Sequence, residues 1–211
     1  MIRTTIAALF AAAVAPALAQ VGIELSAEPL HLASAGLTMR LPVDTQTQIS
    51  EAGPVVSAVC VPPDQSWLLK VETRFSSNRE LSAPQLAQTV LDQLRERYGR
   101  RGVSGEIISS EAKVLLQEEV RTTEGAGVGG RFYVSLPGAG GKPRQMRLYT
   151  IFQPRPGAFV SFDMICLEPA YEEARQAYEV SVATAEFMDP ALVTAARHSA
   201  MEAGATFQIG R

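Results

Sequence analysis

WLLKVETRF, residues 67–75, is followed after a short polar break by SAPQLAQTVLDQLRERYG, residues 82–99, and between them the apolar period changes from two to about 3.6. In the first stretch Trp67, Leu69, Val71, Thr73 and Phe75 share one face, while Lys70, Glu72 and Arg74 share the other. That alternation predicts a half-buried strand. In the second, Ser82 is placed to cap the first free amides, Gln85 completes a capping box, and Leu81 can clip onto Leu86. Leu86, Val90, Leu91, Leu94 and Tyr98 recur at helical spacing and predict the buried stripe, with Gly99 expected to stop the helix in a left-handed conformation.

Upstream, residues 37–41 alternate and end at Pro42, and residues 55–61 form a second strand ended by Pro62 and Pro63. Downstream the period returns to two. Weaker strands are expected at 106–110 and 114–122, and stronger ones at 131–136, 145–152 and 158–167. Connections carrying Gly138, Gly140 and Gly141, then Pro154, Pro156 and Gly157, make neighbouring strands antiparallel partners. A second helix opens at Pro169 and runs through Tyr171, Ala174, Tyr178 and Ala185 to about Phe187, and Asp189 with Pro190 starts a short third helix. The reading is a single α+β domain over 36–188, a mainly antiparallel sheet flanked by helices, with a polar lead at 20–35 and a short helix and tail at 189–211.

The strings GLTMRLP at 36–42 and SWLLK at 66–70, with the helix at 82–98 following the central strand, resemble the PsbP-like α/β/α sandwich superfamily. The likeness covers about residues 35–188 and lies in layout and short strings. It implies the sandwich fold and a non-enzymatic role, since that group contains many small exported accessory proteins of the DcrB type.

The beginning of the chain has the layout of an export signal: Arg3, an apolar stretch at 6–15, and the small-x-small site Ala17-Leu18-Ala19 before Gln20. Cleavage is expected after Ala19, and the apolar run is far shorter than the roughly 20 residues a spanning helix needs. The expected location is the periplasm or the secreted fraction, with no membrane span after cleavage. The whole chain carries a net charge of −3 and no basic run, which argues against nucleic acid or anionic lipid as a partner.

Cys60 and Cys166 are the two cysteines, both in predicted strands. In an oxidising compartment an even pair predicts a disulfide, which would constrain the unfolded chain by about 4 to 5 kcal/mol; two separate core thiols are the alternative.

Motifs for chemistry fail on context. GAGVGG at 125–130 spells a dinucleotide-binding string but runs into a strand, so no helix start awaits a pyrophosphate, and a flexible hairpin connection is the better reading. GAGGK at 138–142 lacks the first P-loop glycine and has Pro143 where Ser or Thr is needed. His31 and His198 are the only imidazoles, neither at ligand spacing from a partner, and there is no G-x-S-x-G elbow. The acidic pairs Glu118-Glu119 and Glu172-Glu173 read as solvated surface, because adjacent residues do not share a face. No metal ligand set and no cofactor is expected.

One group of residues stands out. A hairpin of 131–136 with 145–152 centred near Gly140 would set Arg131 opposite Tyr149 and Tyr133 opposite Arg147, leaving Phe132, Val134, Met146 and Leu148 on the other face. Keeping Val160, Phe162, Met164 and Cys166 apolar on the next strand brings Asp163 beside Arg147 and Tyr149. These contacts serve either the sheet alone or a concave face whose two arginines receive a carboxylate, a phosphate or an acidic partner loop. The expected function is an exported accessory or binding module that contacts another envelope protein or a small anionic ligand. A hydrolase with an unmarked site and a self-assembling envelope component are the alternatives.

Overall fold

A computed structural model describes residues 22–52, 55–78, 80–121 and 126–202; the expected export signal at 1–19 lies outside them. Strands β1 (Leu30–Leu32), β2 (Leu37–Met39), β3 (Gln46–Ala52), β4 (Val55–Val61) and β5 (Trp67–Phe75) precede helix α1 (Ala83–Arg97). Then come β6 (Gly99–Arg101), β7 (Ile107–Ser110), β8 (Lys113–Arg121), β9 (Val128–Leu136), β10 (Gln145–Arg155) and β11 (Ala158–Leu167). Helix α2 (Tyr171–Ala183), β12 (Glu186–Phe187) and α3 (Pro190–Glu202) complete the order.

Seven strands form one antiparallel sheet in the order β3-β4-β5-β11-β10-β9-β8, so β3 and β8 are its edges. β11 pairs with its sequence neighbour β10 on one side and with β5 on the other, so it joins the strands before α1 to those after it. β1, β2 and β12 make a separate small sheet, and β6 pairs with β7 as a ribbon beyond α1. β1 belongs to the stretch read as a polar lead, and its Leu32 is fully buried. Helix α2 is shorter than expected, because after Ala183 the chain extends and Phe187 pairs with Leu37.

The two sheet faces carry different layers. On one, Ala174, Ala177, Tyr178 and Val182 of α2 pack with the small sheet against Leu69, Val71, Leu148, Phe162 and Met164. On the other, Ala83, Ala87, Leu91 and Leu94 of α1 pack against Phe132, Val134, Leu136, Tyr149, Ile151 and Phe159. Each large side chain fully withdrawn this way, such as Leu91, contributes about 2 kcal/mol. The α1 capping box forms as expected: the Gln85 amide donates to Ser82 Oγ and the Ser82 amide donates to Gln85 Oε1. Gly99 is not left-handed; it follows the cap residue Tyr98 and opens β6. The glycine-rich string also differs from a free connection, because Gly129 and Gly130 lie inside β9. A Cβ at Gly130 would stand 2.6 Å from the Ala87 Cβ and 2.7 Å from the Pro84 Cα, so this glycine lets α1 seat on the sheet.

Cys60 and Cys166 do not form the expected disulfide; both are buried free thiols. Cys60 pairs with Leu69 and Cys166 with Trp67, so β5 runs between them. Two inter-strand spacings alone separate them by roughly 9 to 10 Å, and the two-residue offset between Leu69 and Trp67 adds to that, beyond the reach of an S–S bridge.

Candidate functional site

The hairpin register settles where the five candidate residues go. Arg131 pairs with Thr150, Phe132 with Tyr149, Tyr133 with Leu148 and Val134 with Arg147. This is one residue away from the expected register, and a one-residue slip sends side chains to the opposite face. Arg131 therefore does not face Tyr149, nor Tyr133 face Arg147. Arg131 and Tyr133 lie on the α2 side with Met146 and Leu148, while Arg147, Tyr149 and Asp163 lie on the α1 side with Phe132 and Val134.

On the α2 side, Arg131 reaches across to its strand partner Glu118 on β8, Nη1 to Oε1 at 3.3 Å, and its Nε donates to Thr150 Oγ1 at 3.2 Å. Tyr133 donates to Glu179 Oε1 at 3.2 Å, and Arg175, one helical turn before Glu179, holds the same carboxylate. Burial drives the Tyr133 phenol well above its usual range, with Arg131 opposing and Glu179 reinforcing that rise. Tyr178, fully buried beneath them, meets Thr150 Oγ1 at 2.8 Å and the Phe162 carbonyl at 3.1 Å.

On the α1 side, Asp163 sits opposite Tyr149 and accepts from Arg147 twice, Nε to Oδ1 at 2.8 Å and Nη2 to Oδ2 at 2.6 Å. The side chains are 22% and 14% exposed, so this pair is largely shielded from water. Burial pulls the Arg147 guanidinium down, and the hydrogen bond and charge of Asp163 more than offset it, leaving it above its ordinary value. Tyr149 stacks on Phe132 with ring centres 5.0 Å apart, and its buried hydroxyl, beside Ser161, makes no hydrogen bond of normal geometry among the described residues. Each arginine proposed as an anion receiver thus already holds a carboxylate of its own chain.

Beside this pair no helix among the described residues covers the sheet. α1 lies over β9 and β10 and leaves the outward face of β3, β4 and β5 exposed, together with the adjoining end of β11. Leu68 is 38% and Val55 47% exposed, with Val59, Val61 and Ile165 half-buried around them. Lys70 stands between Val59 and Asp163 in the pairing, and Glu72 between Ser57 and Ser161. Lys70 and Glu72 form an ion pair at 2.8 Å. The apolar strip is bordered by charges that are already paired. Sequence alternation identified the polar half of this face in β5, but not that no described helix covers it.

His31 lies in β1 and His198 in α3. Among the described residues no group of three His, Cys, Asp or Glu gathers as a metal site, and no helix is long and apolar enough to cross a membrane.

No protein-family model matches the chain, and no curated protein matches it. Among solved structures, the cyanobacterial PsbP (CyanoP) of Synechocystis sp. PCC 6803 matches with a TM-score of 0.54 at 13% identity, covering 80% of this chain and 96% of that one. The fold is PsbP-like. LpqN of Mycobacterium tuberculosis, described as involved in cell envelope biogenesis, matches with a TM-score of 0.48 at 12% identity, covering 76% of this chain and 90% of that one. The PsbP-like fold here is an α+β layering with a seven-stranded antiparallel sheet.

Proposed function

We propose that the protein is an exported, non-enzymatic accessory module that binds an envelope protein on the uncovered half of its sheet. The observation that carries this reading is the strip of Val55, Val59, Val61, Leu68 and Ile165, which no helix among the described residues covers although α1 buries the other half of the same face. An apolar strip rimmed by charges suits association better than solvent. Receipt of a small anion is less well supported, because Arg131 and Arg147 are each compensated within the chain. Residues 1–19, with Arg3, an apolar run and Ala17-Leu18-Ala19, support export to the periplasm or beyond.

Photo-crosslinking from Leu68 in the intact native envelope tests this. The expected result is a discrete protein adduct that is absent when the probe sits at the more exposed Leu192, and that disappears with Val59→Lys plus Val61→Lys. Adducts from Leu68 no more discrete than those from Leu192 would sink the proposal.

A further inference from the structure

On the α2 side, opposite that half-face, a cleft of about 440 Å³ opens where two turns meet the N-terminal stretch and α2. Its walls are Pro42, Pro62 and Pro63, with Ile23, Val43 and Ala177 completing the apolar lining, and Trp67, the only tryptophan of the chain, lies in its lining. Glu24, Asp64 and Glu173 stand around it from three separate segments: the N-terminal stretch, the β4–β5 turn and α2. No basic side chain is among its lining residues, and among the described residues none forms a salt bridge with these three carboxylates, although Asp64 Oδ1 accepts from the Ser66 amide and hydroxyl.

The walls are held in place by their own backbone. Thr45 N donates to the Pro42 carbonyl, Gln65 N to the Pro62 carbonyl, and Val43 N to the Glu24 carbonyl. Among the described residues the non-glycine positions with positive φ are Asp44, at 64°, and Gln65, at 56°, and each stands in one of the two turns that wall the cleft. A left-handed glutamine is disfavoured, and such residues persist where surrounding contacts fix them, often at ligand sites. Thr45, also in the lining, is half-buried, and its hydroxyl oxygen has no hydrogen-bond partner among the described residues.

An apolar, aromatic and proline-walled recess ringed by carboxylates has the chemistry that receives a cation on a hydrocarbon stem. The stem displaces water from the prolines, and the positive head faces the carboxylates and the indole. We infer that this cleft binds an ammonium or guanidinium group carried on an apolar stem. The group comes either from a free organic amine or from a lysine or arginine side chain of a bound peptide segment.

Fluorescence of Trp67 reads the site directly, since no other indole contributes. The full chain is titrated with butyltrimethylammonium, 1-butanol and butyrate, three probes that share a stem and differ in head charge. Saturable change with the cation, at least about tenfold tighter than with the alcohol, and its loss in Glu24→Gln/Asp64→Asn/Glu173→Gln, is the expected result. The three carboxylate residues are exposed, and an unchanged melting temperature in that variant shows that the fold is intact. Putrescine against N-acetyl-lysine methylamide then separates the two sources, the tighter probe naming the one the cleft prefers. If no cation saturates the signal below about 10 mM, or if the alcohol binds as well as the cation, the inference is overturned.

Discussion

The Arg147 guanidinium and the Asp163 carboxylate meet through two parallel contacts although they are not cross-strand partners: Arg147 lies opposite Ile165, and Asp163 opposite Tyr149. The arginine therefore reaches diagonally over the sheet, and the two groups replace for each other the water that α1 and the strands exclude. Removing one leaves the other desolvated, whereas replacing both with apolar groups of similar volume does not. Asp163→Ala should lower unfolding stability by about 3 kcal/mol, and Arg147→Met with Asp163→Leu by no more than about 1 kcal/mol. Urea unfolding of both variants checks this, and equal losses would contradict it.

The thiols of Cys60 and Cys166 should be silent in the native protein. Burial pushes Cys60 up to about 12 and Cys166 up to about 11, so little thiolate exists at pH 8, and burial also bars the reagent. Ellman's reagent should titrate two thiols in denaturant and none at a comparable rate in buffer, and a reductant should leave the melting temperature unchanged. A reductant-dependent fall in melting temperature would show that the cysteines are bridged.

The buried tyrosines predict both a mutational contrast and an alkaline limit. Tyr149→Phe removes a hydroxyl whose contact with Ser161 falls outside normal hydrogen-bond geometry and should change stability by less than about 0.5 kcal/mol, while Tyr178→Phe breaks contacts to Thr150 and Phe162 and should cost about 1 to 2 kcal/mol. Burial raises the folded-state values of Tyr133, Tyr149 and Tyr178 above the unfolded one. The unfolded chain therefore loses phenolic protons first. This contribution is fully present below about pH 10 and is lost as the pH rises from there toward the folded-state values. Melting temperatures between pH 8 and 11 should fall less steeply in Tyr149→Phe than in the wild type.

Gly130→Ala should destabilise by about 2 kcal/mol, because its Cβ would overlap Ala87 and Pro84 and push α1 off the sheet. Pairing it with Ala87→Gly should restore part of that loss. Thermal melts of the single and double variants decide the point, and a Gly130→Ala protein as stable as the wild type would show that the helix yields freely.

What was legible in the sequence was local. The capping box of Ser82 and Gln85, the alternation of Trp67, Leu69, Val71 and Thr73, and the strand order within hairpins follow from neighbours a few residues apart. The register of β9 on β10 did not. Both strands are covered on both faces, so Phe132 and Tyr133 are each buried and alternation does not say which belongs with α1. An eight-residue connection, 137–144, adds no constraint on the slip. The disulfide expectation failed for a related reason: nothing local to Cys60 or Cys166 reveals that β5 runs between them. β3 escaped notice because QTQISEA, 46–52, has one strong apolar residue, Ile49, as suits a strand with solvent on one side. Of the candidate site, the meeting of Arg147 with Asp163 was readable from alternation on β11, and the separation of Arg131 and Tyr133 to the far side was not.

The two rims of the seven-stranded sheet are guarded unequally. β8 carries Lys113, Glu118, Glu119 and Arg121 along its nine residues, whereas β3 has Glu51 as its single ionisable residue and no proline. Unpaired amides and carbonyls on a strand that lacks charge are a template for adding a further strand. If the protein is stressed or concentrated, lateral accretion should begin along β3, and a lysine at Gln48 would be the simplest gatekeeper against fibrous deposits.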